Sequence, residues 1–131
     1  MRAERVDLGS SVVDRAEALL RRLALNDEKT LGMVLTRRQE TGGRTGLGRK
    51  VDLLVRLAAL LAVGASMPSL RDAVTQAVAA GASTDEIVGV LVSVGPTIGL
   101  ASVVASAPRL ALAIGYDLED GADLDTRRRR A

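Results

Sequence analysis

Apolar residues recur along this chain at the three-to-four spacing of helices, and no stretch alternates apolar and polar positions between hairpin turns. Ser11 can cap a first helix in which Val12, Ala16, Leu19, Leu20 and Leu23 form one stripe opposite Asp14, Arg21 and Arg22. Asn26 or Asp27 opens a second helix through Leu31, Val34 and Leu35, which ends at Gly42 and Gly43. A third, over about 49–65, is apolar nearly all round from Leu53 to Val63 apart from Arg56. Such a helix has to be covered on several sides, by its own domain or by a partner subunit. Ser66 and Pro68 restart the chain as a fourth helix that runs to Ala80 and stops at Gly81. Ser83 and Glu86 then spell a capping box ahead of Ile87, Val90, Leu91 and Val94. Gly95 and Pro96 predict a break, followed by a helix over about 98–114 that Pro108 bends or splits and Gly115 ends.

The pattern therefore predicts an all-α helical bundle in three parts. Residues 1–48 form a helical extension packing on the core, 49–116 form the core, and 117–131 form a flexible tail, acidic and then arginine-rich. The seven residues 42–48 contain four glycines, but no strand precedes them and no phosphate-loop pattern is present, so they read as a connector. Residues 87–108 are 22 consecutive uncharged positions, nominally enough to cross a bilayer. Pro96, Pro108 and several glycines instead predict two shorter helices, buried and meeting between Gly95 and Gly99, and no membrane span. Tyr116 is expected to bury its ring at the end of the last helix.

Composition narrows the chemistry. The 131 residues include no cysteine, histidine, tryptophan or phenylalanine and a single tyrosine. That excludes thiol nucleophiles, disulfides, imidazole bases and the common zinc sites, and no cofactor or metal is expected. The lack of aromatics also argues against a base-stacking nucleic-acid platform. Charge is unevenly laid out: residues 57–126 carry only Arg71 and Arg109 against eight acids, whereas 127–130 are four arginines. That terminal run reads as a solvated tail; docking on nucleic acid or an anionic surface is its other reading. The N-terminus, interrupted by Arg2, Glu4, Arg5 and Asp7, has no signal-peptide pattern, which predicts a cytoplasmic location.

The stretches 51–64, 77–87 and 90–100 resemble the carboxymuconolactone decarboxylase family, which includes the alkylhydroperoxidase D-like proteins. The resemblance rests on a helix, then Ala-Ala-Gly-Ala-Ser-Thr-Asp-Glu-Ile at 79–87, then an apolar helix broken at glycine. It implies an all-α fold and a homotrimer or homohexamer. Peroxidase members carry Cys-x-x-Cys-x-x-x-His on the helix before this motif, and decarboxylase-type members keep the histidine. The matching positions here are Ser66, Ser69 and Ala73, so redox-thiol chemistry and proton transfer at that position are both excluded.

Two readings of the site remain open. In the first, the chain is a thiol-independent acid–base lyase, decarboxylase or isomerase acting on a small organic acid or lactone. Asp72, half-buried among aliphatic groups, is then the base, and Arg56 clamps a substrate carboxylate. Ser66, Ser69 and Thr97 add substrate contacts, with Thr75 and Gln76 nearby. In the second, Arg71 and Asp72 lie on a solvated face, Arg56 pairs with Asp52, and Ser66 and Ser69 serve as helix caps. The chain is then a non-catalytic oligomeric scaffold or a binder of a small apolar ligand.

Overall fold

The computed structural model describes residues 2–36 and 45–116, with side chains described from Val13 onward in the first segment. The described residues form six helices and no strands: α1 (Arg2–Ala24), α2 (Glu28–Thr36), α3 (Arg49–Val63), α4 (Met67–Ala79), α5 (Thr84–Ile98) and α6 (Leu100–Ile114). Packing divides the chain into two compact units, Met1–Thr41 and Gly42–Ala131. The all-α expectation holds. The expected tail at 117–131, with its four arginines, lies outside the described residues, as does the expected end of the second helix at Gly42 and Gly43.

In the first unit, α1 and α2 pack on each other. The α1 helix begins well before Ser11, so that serine is an interior residue and not a cap. The join between the two helices follows from two adjacent polar residues. Asn26 takes a positive φ of 56°, a conformation asparagine tolerates better than most residues, and the Asp27 N–H closes back on the Arg22 carbonyl at 3.0 Å. Asp27 then accepts from the Thr30 N–H at 3.1 Å and from the Thr30 hydroxyl, capping α2. The hydrogen bond from the Thr30 side chain, with the one from its backbone, holds the Asp27 carboxyl below the usual carboxylate range.

The second unit is a ring of four helices. The α3 helix packs against α4 and α5, and α6 packs against the same two, so α3 faces α6 and α4 faces α5 across the centre. The centre is aliphatic: Leu53, Leu57 and Leu61 of α3 meet Leu70, Val74 and Ala77 of α4, Ile87 and Leu91 of α5, and Leu110 of α6. The i, i+4, i+8 spacing of the α3 leucines puts all three on one stripe. Lys50 and Glu86, near the N-terminal ends of α3 and α5, pair at 3.0 Å, so these two helices run side by side in the same direction. The unit is thus two helical hairpins, α3–α4 and α5–α6, stacked on each other.

Local chemistry sets the corners. Gly64 ends α3 in the left-handed conformation (φ 67°, ψ 43°), and the Ala65 N–H bonds the Leu60 carbonyl at 3.0 Å. The capping box that opens α5 is complete: the Glu86 N–H donates to Ser83 Oγ at 3.1 Å, and the Ser83 N–H donates to Glu86 Oε1 at 3.0 Å. The break expected at Gly95 and Pro96 falls instead at Gly99. Helix α5 continues through Pro96, and α6 starts one residue past Gly99. The proline removes one hydrogen-bond donor near the end of α5. Gly99, at φ 90° and ψ 163°, adopts a conformation essentially confined to glycine, which is what reverses the chain. Pro108 likewise lies inside a continuous α6. No helix among the described residues is long and apolar enough to cross a membrane.

Candidate functional site

The residues singled out for chemistry lie on the helices that surround this aliphatic centre. Arg56 is in α3 on the flank of the buried stripe, partly covered, and its guanidinium pairs with Asp52 one turn earlier at 3.1 Å. Asp72 is in the first half of α4, and it is exposed where a half-buried setting was expected. It accepts a hydrogen bond from Gln76 Nε2 at 2.8 Å, again one turn along the same helix. Arg71 and Thr75 are exposed beside it, and the Thr75 hydroxyl donates to the Arg71 carbonyl at 2.8 Å. Both proposed catalytic groups therefore have an intrahelical partner, the arrangement in which such pairs contribute a few tenths of a kcal/mol to a helix.

Ser66 and Ser69 are the two site residues the structure brings together, with their hydroxyl oxygens 3.1 Å apart. Ser66 stands at the N-cap of α4 with extended backbone, but its side chain bonds no helix N–H. Pro68, within the first turn, supplies no N–H of its own. Thr97 is exposed near the end of α5, the helix across the ring from α4. Ala73, the position matching the family histidine, packs its methyl group against the core cluster. Among the described residues no three carboxylates gather at metal-binding distance. An open depression along α1, lined by Asp14, Glu17, Ala18, Arg21 and Arg22, belongs to the other unit.

Polar groups that do reach across the fold were not among the sequence candidates. Arg109 of α6 donates to the Ala65 carbonyl at the α3–α4 corner, and the buried Ser106 hydroxyl reaches the Leu61 carbonyl at 3.5 Å. These contacts tie α6 to the C-terminal end of α3. Arg109 was legible as the one charge between Glu86 and Asp117, but its target is a backbone oxygen that no side-chain pattern encodes. Glu86 carries the clearest electrostatic perturbation in this unit. The Ser83 backbone hydrogen bond, and after it the Lys50 ammonium, hold its carboxyl below the usual range.

The outer surface of the ring differs from helix to helix. Exposed α4 positions include Ser69, Arg71, Asp72 and Thr75 with Val78 and Ala79 beyond them, and α5 exposes Asp85, Ser93 and Thr97 beside Val88 and Val92. On α6 every exposed residue is apolar: Leu100, Ala101, Val104, Ala105, Ala107, Pro108 and Leu112. On α3 the outward stripe Val51, Val55, Ala59 and Val63 is apolar too, so among the described residues of this unit the helix read as apolar all round leaves apolar surface uncovered. Tyr116 is about half exposed, against the expectation of a buried ring. Comparison with family models, with curated proteins and with solved structures finds no match to this chain. The fold and site thus define an all-α protein whose core unit is two stacked helical hairpins.

Proposed function

We propose that this chain is a carboxymuconolactone decarboxylase-like protein that acts as a non-catalytic, self-assembling scaffold. The observation that carries the reading is the α6 surface, four turns of helix on which no exposed residue is polar. A helix whose exposed positions are all apolar normally belongs in an interior, and here the described residues of its unit cover only one side of it. The setting of the would-be catalytic groups supports the same reading. Asp72 and Arg56 each hold a partner on their own helix, and a methyl group occupies the position from which the family transfers protons. A homotrimer or homohexamer, as the family resemblance implies, would cover the apolar faces and leave the α4 face in water.

The test is the mass of the purified full chain by sedimentation, combined with a turnover assay on carboxylated lactones. A defined oligomer without turnover is the expected result. Turnover that Asp72→Asn abolishes would instead establish the acid–base lyase reading, with Asp72 as base and Arg56 as anion clamp. A monomer at all concentrations would overturn self-assembly.

A further inference from the structure

We infer that the α5–α6 hairpin is a two-fold interface, its outer face pairing with the same face of a second copy of this chain. The inference rests on the self-assembly reading and specifies both the surface and its symmetry.

The face is defined by the seam between the two helices. Gly95 of α5 is the close point, where an added Cβ would lie 3.4 Å from Val103 of α6. These two positions are four residues before and four after Gly99, as expected for two helices folded back from one turn. Val92 and Val88, three and seven residues before Gly95, share its side of α5. On α6, Leu100 lies three residues before Val103 on the same side, and Val104 is the next position outward around the helix. All four are exposed, with Leu100 at 81%, Val92 at 71% and Val104 at 63% of full accessibility. Ala101, Pro108 and Leu112 continue the apolar surface along α6.

The extent of this surface matches what association needs. The exposed parts of Val88, Val92, Leu100, Val104 and Leu112 alone come to roughly 500 Å², and the small residues between them bring the face toward the ~800 Å² per partner of a standard interface. Patches of that size are uncommon on monomers and mark sites of association.

Charge decides what covers the face. A two-fold contact lays a patch on itself, so any net charge in the patch meets its own sign. Residues 87–108 contain no charge, so the face from Val88 to Pro108 meets itself without repulsion, with Asp85 and Arg109 only at its edge. A lipid surface would instead favour a basic rim. Among the described residues of this unit the basic groups are Arg49, Lys50 and Arg56 of α3, Arg71 on the α4 face and Arg109. Lys50 pairs with Glu86, Arg56 with Asp52, and Arg109 donates to the Ala65 carbonyl, so none forms a free basic rim along α5 and α6. A second copy is therefore the occupant. The one-residue turn at Gly99 presents both helices in a set relation, so little ordering remains to be done on binding. A two-fold contact requires an even number of copies, such as a dimer, a tetramer or a hexamer, and not a lone trimer.

The test uses the full chain. Sedimentation is expected to give an even multiple of the chain mass, and Val104→Glu is expected to halve it, with the dissociation concentration raised about tenfold or more. Thr75→Glu on α4 should leave the mass unchanged, and far-UV circular dichroism checks that each variant folds. Because the chain has no cysteine, single substitutions to cysteine at Val92, Ala101, Val104 and Ala105 give a second readout that does not depend on the charged variant folding. At least one should form an intermolecular disulfide, whereas Thr75→Cys should not. An even oligomer that Val104→Glu leaves intact while Val55→Glu disperses it, a trimer, or the absence of any disulfide overturns this inference alone. Binding to neutral phosphatidylcholine vesicles that Val104→Glu abolishes would overturn it in favour of lipid. A wild-type monomer overturns the self-assembly reading as well.

Discussion

Two glycines in the α5–α6 region differ only in backbone conformation, and replacing each with alanine should shift stability in opposite directions. Gly99 sits at φ 90° and ψ 163°, where a Cβ is strained whatever surrounds it. An added Cβ there meets nothing within 4 Å, so the cost of Gly99→Ala is purely conformational. Such conformations cost about 1–3 kcal/mol in residues other than glycine. The stiffer unfolded chain returns about 0.4–1 kcal/mol, which, from the middle of that cost range upward, leaves a net loss of about 1–2 kcal/mol. Gly89 lies inside α5, exposed and with equally open space, but without a positive φ. Gly89→Ala should therefore gain about 0.5–1 kcal/mol, because alanine loses less backbone entropy on entering a helix. Thermal unfolding followed by far-UV circular dichroism at one protein concentration reads both. The expected midpoint shifts are roughly 5–15 °C downward for Gly99→Ala and about 3–8 °C upward for Gly89→Ala, taking about 4–8 °C per kcal/mol for a domain of this size. If Gly99→Ala melts with the wild type, residue 99 is not in the conformation that reverses the chain, and the reasoning fails at its root.

Leu57→Ala, at a fully buried position of α3, should cost about 2–5 kcal/mol in urea unfolding, whereas Thr75→Ala on the exposed face of α4 should stay within about 0.5 kcal/mol. Ser83→Ala removes the acceptor for the Glu86 N–H and should lower stability by about 1 kcal/mol, measured the same way. The pH dependence follows from the same corner. The Glu86 carboxyl is held below the ordinary glutamate range in the folded chain, so its contribution is complete above that range and is lost as pH falls through the lowered value. Stability measured from pH 5 downward should therefore decline less steeply in Glu86→Gln than in the wild type. Asp72→Asn keeps an oxygen able to accept from Gln76 and should leave the melting temperature unchanged within a degree or two.

Helix identity and most of the corners were legible because each has a local cause. The Ser83 and Glu86 box, the stop at Gly81 and the Leu53, Leu57, Leu61 stripe are all encoded within a few residues of where they act. The α5–α6 turn falls a few residues beyond the Gly95 and Pro96 signal for a reason of the same kind. Pro96 weakens a helix without ending it, while Gly99 permits the one conformation that does, and both signals fall within four residues. The start of α1 differs from the sequence reading because Gly9, Ser10 and Ser11 together look like a helix start by type, yet the helix runs through them from Arg2. The candidate site was less legible. Asp72 and Arg56 were singled out as charges near apolar sequence, but whether a charge faces a pocket or water is settled by helix phase. At these positions the phase gives each a partner one turn away. What the sequence did carry was the uncharged run 87–108, whose meaning changes once it is folded. Only some of those residues fill the interior, and the remainder form an outer surface.

Tyr116 closes the last helix, its N–H bonded to the Ala111 carbonyl at 2.9 Å and its ring about half exposed. It is also the only aromatic residue in the chain. Intrinsic ultraviolet absorption and fluorescence are therefore blind to the aliphatic core and see only the final turn of α6. Fraying of that turn would register as a full optical transition while the leucine interior stayed intact. Conversely, a loosening of the interior that spared the C-terminal end of α6 would pass unseen. The protein thus comes with a natural single-site reporter, and comparing its signal with backbone dichroism separates local opening at one helix end from unfolding of the whole.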